Sequence, residues 1–261
     1  LFYNKKAFSS QKNRGDFVKE YGYALAPPDT WDEYRAIAKF FNGRDWDGDG
    51  KPEYGVGEAW QRGGYSFWWW ATKFLGSGGV WFDEDMNPLI NGPSGVKALE
   101  ITLAIKAYTP PGTANFGYPE LEAAFVNGEV PMVVQWASTG KSAKDPNQSK
   151  IVNNVGAKLV PGSRDKDGSI YRRPGLPTGW IAGIPKYSKN KENAIALLEF
   201  LTQPKAQMFY SSKNYEYPVN PTMPLSEELK SWGKFKEDNL NVEKLAELAP
   251  LAQKIIDRVG W

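Results

Sequence analysis

The sequence predicts an α/β fold, because short apolar runs of strand length alternate along the chain with amphipathic helical stretches. The clearest helix begins at Thr30, which forms a capping-box pattern with Glu33, and residues 31–41 follow with one apolar face. The clearest strand runs from 130 to 136 and has the composition of a buried strand. At 261 residues, the chain can bury one large core or two ordinary ones.

The composition excludes several classes of function. The formal charge is +2, from 32 Lys and Arg against 30 Asp and Glu, and no basic run could track a phosphate backbone, so nucleic acid is not an expected partner. The absence of Cys and His excludes disulfides, thiolate or imidazole metal sites and His-based triads. No stretch predicts a membrane span, and no targeting leader is recognised. With 11 Trp, the chain instead carries much aromatic stacking surface.

The first elements follow from local patterns. Residues 1–5 are a short apolar run ending in Asn and Lys, which predicts a strand followed by a turn. Residues 9–29 are polar, contain Gly and end near two prolines, so they are predicted to be a connector. The helix over 31–41 should then end at an Asn-Gly pair, 42–43.

The sharpest local motif is the acidic segment 45–53, DWDGDGKPE. Its carboxylates at positions one, three, five and nine, with a Gly at six, have the spacing of loops that bind Ca²⁺. An EF-hand would have Glu at position twelve, where this chain has Val56, so a shorter loop is expected. A solvated acidic turn is the alternative. The predicted ligands of one structural Ca²⁺ ion are Asp45, Asp47, Asp49, the Lys51 carbonyl and Glu53.

Three consecutive tryptophans occupy positions 68–70 within the aromatic segment 65–82. Neighbouring side chains point about 100° apart on a helix and alternate on a strand, so at least one indole must face away from the core. The Gly-rich stop at 76–79 places the three indoles in the first turns of a helix. A flat ring with an N–H suits stacking against a sugar, whereas the alternative is an aromatic core patch with one exposed ring.

Further strands are predicted at 54–60, 130–136, 155–160 and 178–185. Aromatic side chains stand at the exits of the first two strands and near the start of the last. In open α/β sheets, ligands bind beyond the carboxyl ends of the strands. The candidate ligand-binding residues are therefore Trp60, Trp68, Trp69, Trp70, Gln135, Trp136 and Trp180.

Helices are also predicted near residues 93–107, from Pro119 and after Asn190. Loops rich in Gly and Pro are predicted at 108–117 and 162–177, the second as a crossing between lobes. In the helix predicted near residues 93–107, the apolar face is formed by Val96, Leu99, Leu103 and Ala107.

Taken in chain order, several segments of the sequence resemble segments of the extracellular solute-binding proteins of ABC transporters, specifically the sugar-binding family that includes maltose-binding protein. The matching pieces are LFYNK at 1–5, PPDTWDE at 27–33, the aromatic stretch ending at 78–79, EAAFVNGEVPM at 122–132 and GWIAGI at 179–184. The resemblance covers nearly the whole chain. It implies a lobe of the type II periplasmic-binding-protein class, with a partial return to a second lobe.

The resemblance also implies a domain organisation. Residues 1–175 would form a C-terminal-lobe-like domain, 176–215 a strand and helices returning to an N-terminal lobe, and 216–261 C-terminal helices packing on the first lobe. Much of the N-terminal lobe would then be missing. The segment 178–213 should in that case expose apolar residues, namely Ile181, Ile184 and Leu198, and invite dimerisation or domain swapping.

The family resemblance implies non-catalytic carbohydrate binding for uptake, with a sugar ligand and ABC transporter permease subunits as partners. It implies a periplasmic or extracellular location, either free or as an anchored lipoprotein. Trp68 and Trp69 fall where the family's aromatics stack on sugar, Trp136 falls where the cleft is lined, and Trp180 falls in the return to the N-terminal lobe. The acidic segment resembles calcium loops of some members.

A glycan-active enzyme, such as a glycoside hydrolase, is the alternative from another class. It would need two carboxylates about 5 to 9.5 Å apart across the scissile bond. Asp83, Glu84 and Asp85 lie near the aromatic segment but in a predicted exposed turn, and Glu58 lies beside Trp60. We therefore expect a binding protein and not an enzyme.

Overall fold

The computed structural model describes residues 1–173, 182–203 and 206. The chain divides into two compact units, Leu1–Gly179 and Trp180–Trp261. Strands and helices are mixed within the first unit, as the predicted α/β class requires. Among the described residues, no helix is long and apolar enough to cross a membrane.

The first unit is built on a three-stranded sheet. Its strands are β1 (Phe2–Asn4), β2 (Met132–Val133) and β3 (Val155–Ala157), with β1 in the centre and antiparallel to both neighbours. Phe2 lies opposite Val133 in β2 and opposite Ala157 in β3. The strand predicted at the start of the sequence is confirmed, and the strands predicted at 130–136 and 155–160 are present but shorter.

Helices surround this sheet. The helices of the first unit are α1 (Lys5–Ser9), α2 (Gln11–Tyr21), α3 (Trp31–Phe41), α4 (Gly64–Gly76), α5 (Pro93–Ile105), α6 (Tyr118–Val126) and α7 (Ser138–Ser142). Single 3-10 turns occur at Lys106–Tyr108, Thr113–Asn115 and Val152–Asn154, and a hairpin is formed by β4 (Ser163–Arg164) and β5 (Ile170–Tyr171). In the second unit, α8 spans Lys191–Thr202.

Helix α3 confirms its sequence prediction. The Thr30 hydroxyl accepts a hydrogen bond from the Glu33 N–H at 3.2 Å, and the Glu33 carboxylate accepts one from the Thr30 N–H at 3.2 Å. This reciprocal capping satisfies N–H groups that the first turn leaves unpaired. The predicted apolar face is buried in the main core, through Trp31, Tyr34, Ile37, Ala38 and Phe41.

The connector predicted over 9–29 is wrong in its first half, where α2 forms. The Ser10 hydroxyl caps this helix by accepting from the Asn13 N–H at 3.3 Å, and Gly22 ends it with a φ of 78°. Only Phe17 provides a fully buried apolar side chain, while neighbouring Val18 is 45% exposed. The helix therefore lacks the repeated apolar spacing on which a helix prediction depends.

The strand predicted at 54–60 is also wrong, since the segment makes only an isolated bridge between Gly57 and Val133. The N–H groups of Gly55 and Val56 both donate to the carbonyl of Tyr108, at 2.9 and 3.1 Å, and not to a partner strand. The segment still runs beside β2, because the Gly57 N–H donates to Met132 at 3.1 Å.

Helix α5 forms as predicted, but its apolar face is largely exposed. Val96, Leu99 and Leu103 are 51%, 51% and 59% exposed, and the buried positions of α5 are instead Gly95, Ala98 and Ile105. A Cβ atom at Gly95 would lie 1.7 Å from the Ile90 carbonyl oxygen. Gly95 therefore marks a close approach between the start of α5 and the preceding chain, which any larger residue would block.

In the second unit, α8 confirms the helix predicted after Asn190. None of its residues is buried, and Ile184 and Leu198 are partly exposed. Residues 182–185 form no strand. The remainder of the strand predicted at 178–185 and the domain predicted at 216–261 lie outside the described residues.

Candidate functional site

Helix α4 makes the three consecutive indoles diverge, as the helical geometry predicts. The helix begins after Gly63, which has a φ of 107°. Trp69 is only 5% exposed, whereas Trp68 and Trp70 are half-buried on other faces of the helix. The three side chains therefore belong to different surroundings.

Trp136, three residues beyond the end of β2, brings one set of rings together. Its ring centroid lies 5.5 Å from that of Trp68, 5.4 Å from that of Trp69, 6.3 Å from that of Tyr65 and 5.7 Å from that of Tyr118. The contacts with the first three rings are edge to face, and the contact with Tyr118 is tilted. We call these five residues the aromatic cluster: Tyr65, Trp68, Trp69, Tyr118 and Trp136.

Polar groups border the aromatic cluster at the starts of α6 and α7. The Tyr118 hydroxyl donates to the Glu122 carboxylate and lies 3.0 Å from the Ser138 hydroxyl. Thr139 also donates to Glu122, at 2.8 Å. Burial raises the pKa of Tyr118, and its hydrogen bond to Glu122 raises the pKa further. The Glu122 carboxylate is therefore held in place by two hydroxyl donors beside an aromatic surface.

Gln135 and Trp69 contribute buried donors with no partner among the described residues. These atoms are Gln135 Nε2 and Trp69 Nε1. The other amide atom of Gln135, Oε1, accepts from the Trp136 N–H at 3.0 Å, which fixes the orientation of the side chain. Because buried polar groups in folded proteins are nearly always hydrogen-bonded, donors of this kind are suited to a ligand or to water.

Trp60 lies between the two main core clusters and packs against both. Its indole N–H donates to Glu58 at 3.2 Å, and Glu58 in turn accepts from Lys73 at 2.8 Å. Glu58 is fully buried. It therefore cannot reach a bound substrate as the acid or base that a hydrolase would need.

Trp70 is separated from the aromatic cluster and faces α5. Its indole N–H donates to the Gly95 carbonyl at 3.2 Å, and its ring stacks on Phe74 at 5.0 Å with an interplanar angle of 13°. Trp81 also contacts this group. A ligand-binding role for Trp70 remains a prediction that these packing contacts do not favour, and Trp180 lies outside the described residues.

The acidic loop brings its carboxylates together. Carboxylate oxygens of Asp45, Asp47, Asp49 and Glu53 all lie within 4.8 Å of one another. Gly50, the sixth residue of the motif, has a φ of 89° and makes the sharp turn that the spacing predicts. Burial raises the pKa of Glu53 to about 7, and the three neighbouring aspartates add to this effect. The loop concentrates negative charge that a hard cation would neutralise.

The other acidic residues considered from the sequence lie in a turn. Asp83 accepts from the Asn87 N–H at 2.7 Å and from the Asn87 side chain at 2.9 Å, so its carboxylate closes its own turn. Glu84 and Asp85 are exposed in the same turn.

Sequence reasoning missed Tyr65, Tyr118 and Glu122 as members of the site. Tyr118 stands beside Pro119 at the start of a predicted helix, and Glu122 follows one turn later, so their spacing was a usable signal. Nothing local indicated that α6 would meet Trp136.

Comparison with known proteins agrees with the fold. Residues 1–208 match the family described as bacterial extracellular solute-binding protein. Iron uptake protein A1 of Synechocystis sp. is 34% identical over 119 residues, which are 46% of this chain and 31% of that protein. A probable ABC transporter-binding protein of Deinococcus radiodurans is 26% identical over 216 residues, 80% of this chain and 48% of that protein.

Solved structures show the same fold at low identity. Maltose-bound MalE3 of T. maritima has a TM-score of 0.68 and 24% identity, covering 93% of this chain and 57% of that one. The ribitol complex of a solute-binding protein from Agrobacterium radiobacter has a TM-score of 0.61 and 21% identity, covering 90% and 54%. The chain thus spans about half the length of these proteins. With the family match covering most of the chain, this protein belongs to the bacterial extracellular solute-binding protein family and has the type II periplasmic-binding-protein-like α/β fold.

Proposed function

We propose that this chain contributes to non-catalytic carbohydrate binding for uptake through an ABC transporter. The observation that carries the proposal is the aromatic cluster around Trp136, bordered by the held carboxylate of Glu122 and the free amide donor of Gln135. A sugar ring presents a patch of C–H groups and a rim of hydroxyls, so it needs flat apolar rings beside fixed polar groups. Trp68 and Trp136 are half-buried and suited to supply such rings.

The similar structures support this class of ligand. They contain maltose in MalE3 of T. maritima, ribitol in the Agrobacterium radiobacter protein and α-D-tagatose in a Thermotoga lettingae protein. These ligands are neutral and carry many hydroxyl groups. A rigid aromatic surface with a few hydrogen-bonding groups suits that chemistry without requiring opposite charge.

Iron binding is the competing proposal, because two similar proteins of Synechocystis sp. are named iron uptake proteins. A ferric ion needs several converging oxygen or nitrogen ligands, preferably anionic. Beside the aromatic cluster, the Glu122 carboxylate already accepts from Tyr118 and Thr139, and the Glu120 carboxylate accepts from the Gly117 N–H. Burial raises the pKa of Tyr118, which disfavours its phenol as an anionic ligand. The site therefore fits a sugar better than a bare metal ion.

One titration series tests these proposals on the natural full-length protein. Isothermal calorimetry with maltose, ribitol, D-mannitol and α-D-tagatose should give saturable binding for at least one sugar, and ferric citrate should give none. A parallel assay for reducing ends should detect no hydrolysis of maltose. Binding of ferric ion alone, or turnover of maltose, would contradict the proposal.

We also propose the partners and location that accompany this function. The permease subunits of an ABC transporter would receive the sugar, and the protein would act in the periplasm or outside the cell. In the second unit, α8 exposes Ile195, Leu197 and Phe200 at 48%, 56% and 58%. Exposed apolar helices favour association, so a second copy of the chain is the proposed partner of this surface, by dimerisation or domain swapping.

Finally, we propose that the acidic loop holds one structural Ca²⁺ ion. Asp45, Asp47, Asp49 and Glu53 would supply carboxylate oxygens, and Lys51 its carbonyl, with water completing the coordination. The convergence of the four carboxylates supports this assignment. The ion would hold the end of α3 against the following segment, where the Gly43 N–H already donates to the Glu53 carbonyl at 2.8 Å.

A further inference from the structure

Glu58 and Lys73 form an ion pair in the interior of the first unit. Lys73 Nζ lies 2.8 Å from Glu58 Oε2, and the two side chains are 2% and 0% exposed. Both charges have further partners. The Tyr34 hydroxyl donates to Glu58 Oε1 at 3.0 Å, and the Lys73 ammonium donates to the Trp69 carbonyl at 3.3 Å and lies 5.3 Å from the Trp31 ring centroid. Each charge is thus hydrogen-bonded away from solvent.

Stability alone is a weak explanation for such a pair. The desolvation of two charges can exceed the attraction between them, and replacing a buried pair with apolar residues of similar volume is often neutral or stabilising. The role of the pair is better sought in the geometry that it fixes. Lys73 lies one turn after Trp69 on α4, and Glu58 lies two residues before Trp60.

The pair joins two tryptophans that the sequence predicts to bind ligand, through different groups. Glu58 Oε2 accepts from the indole N–H of Trp60 at 3.2 Å, whereas Lys73 holds the main chain of Trp69. The main chain of Trp60 is anchored separately, because its N–H donates to the Thr113 carbonyl at 3.2 Å. The ring orientation of Trp60 therefore depends on Glu58, while the path of its backbone does not.

We propose that the Glu58–Lys73 pair positions the Trp60 indole relative to α4, and that ligand affinity depends on this positioning. This inference rests on the carbohydrate binding proposed above. Because both charges are buried, neither residue touches the ligand, and the pair acts through the indole that it holds. The geometry of the candidate site thus depends partly on a buried ion pair that does not itself contact the ligand.

The test replaces both charges at once, as Glu58→Leu with Lys73→Met, in the natural full-length protein. A single change would leave one buried charge unpaired and could unfold the protein. The change also leaves the Tyr34 hydroxyl and the Trp60 indole N–H without their acceptor, so the melting temperature should fall by about 5–10 °C while the protein stays folded. The affinity for whichever of maltose, ribitol, D-mannitol and α-D-tagatose binds wild type most tightly should fall at least about tenfold.

The matched control makes the same kind of change at an exposed ion pair. Arg44 and Glu20 lie 2.8 Å apart with 40% and 41% exposed side chains. Glu20→Leu with Arg44→Met should change the affinity by less than about twofold, because surface pairs contribute little and this pair holds no tryptophan.

Trp60→Phe separates positioning from a general loss of structure, because it removes the donor to Glu58 and keeps an aromatic ring. We call the Glu58→Leu, Lys73→Met protein the apolar-pair variant. Added to that variant, Trp60→Phe should weaken binding further by less than about twofold, because the apolar-pair variant no longer holds the indole in position. The proposal would be overturned if the affinity losses of Trp60→Phe and of the apolar-pair variant were additive, or if the apolar-pair variant kept the wild-type affinity. If that variant does not fold, Trp60→Phe alone decides: an affinity within about twofold of wild type overturns the proposal. If wild type binds none of the four sugars, the carbohydrate proposal itself fails; if Trp68→Ala leaves sugar binding unchanged, the binding site lies outside the aromatic cluster.

Discussion

Trp136 meets Trp68 edge to face, with ring centroids 5.5 Å apart and ring planes inclined at 88°. This geometry aligns the positive edge of one ring with the negative face of the other, which holds both rings in place. Neither ring is fully buried. The pair therefore offers a rigid apolar surface. Because the fold already fixes both rings, a ligand that binds there does not have to order them.

Trp68→Ala should weaken sugar binding in the natural full-length protein by at least about 1.4 kcal/mol, or tenfold. The change removes a stacking surface and one of the edge-to-face partners of Trp136. Calorimetry with the most tightly bound of the four sugars measures the effect.

Trp81→Ala is the matched control, because Trp81 packs with Trp70 and Phe74 and not with the aromatic cluster. It should lower the melting temperature but change affinity by less than about twofold. Equal small effects from both variants would mean that the tryptophan run is core and that the binding site lies elsewhere.

The difference between what the sequence predicted and what it missed lies in how local each signal is. The capping box and apolar face of α3 are contained in one short segment, and the divergence of Trp68, Trp69 and Trp70 follows from helical geometry alone. Helix α2 was missed because its burial depends on the single ring of Phe17.

Tertiary contacts decided the remaining cases. The segment 54–60 forms no strand because two of its N–H groups bond to Tyr108, which lies more than fifty residues away in the chain. Tyr65, Tyr118 and Glu122 join the site because α4, α6 and the exit of β2 meet at Trp136, and no periodicity encodes that meeting.

Glu122→Gln should weaken sugar binding about fivefold if the Glu122 carboxylate accepts a ligand hydroxyl. Hydrogen bonds to charged groups contribute about 1 kcal/mol more than those between neutral groups, and the amide keeps the shape of the side chain. The measurement is calorimetry with the same sugar. Glu100→Gln, at an exposed position of α5, is the control and should have no effect. An unchanged affinity for Glu122→Gln would remove this residue from the site.

The apolar surface of α8 should drive association of this 261-residue chain. Multi-angle light scattering should give a mass above that of one chain, which rises with concentration. Leu197→Glu should shift the population toward the monomer, because a charge would have to be desolvated in the contact. Lys191→Glu, at the polar start of the same helix, should leave the mass unchanged. A monodisperse monomer of folded wild-type chain would contradict the association.

Excess Ca²⁺ should raise the melting temperature after the protein has been treated with a chelator. Binding to the folded state alone stabilises it by about 2.7 kcal/mol when free Ca²⁺ is 100 times Kd, which corresponds to roughly 5–10 °C for a domain of this size. Asp47→Ala should abolish this rise, because it removes one of the four converging carboxylates. Differential scanning calorimetry with and without Ca²⁺ measures the melting temperature of wild type and of the Asp47→Ala variant.

Asp167→Ala is the control for this experiment, since Asp167 lies in another exposed turn where it accepts from the Ser169 N–H at 2.9 Å. That variant should keep the full response to Ca²⁺. The burial of Glu53 among three aspartates is electrostatically unfavourable without a cation. A cation that relieves this repulsion should stabilise the folded chain more than added ionic strength does. A response to Ca²⁺ no larger than the response to matched NaCl would show that the segment is a solvated acidic turn.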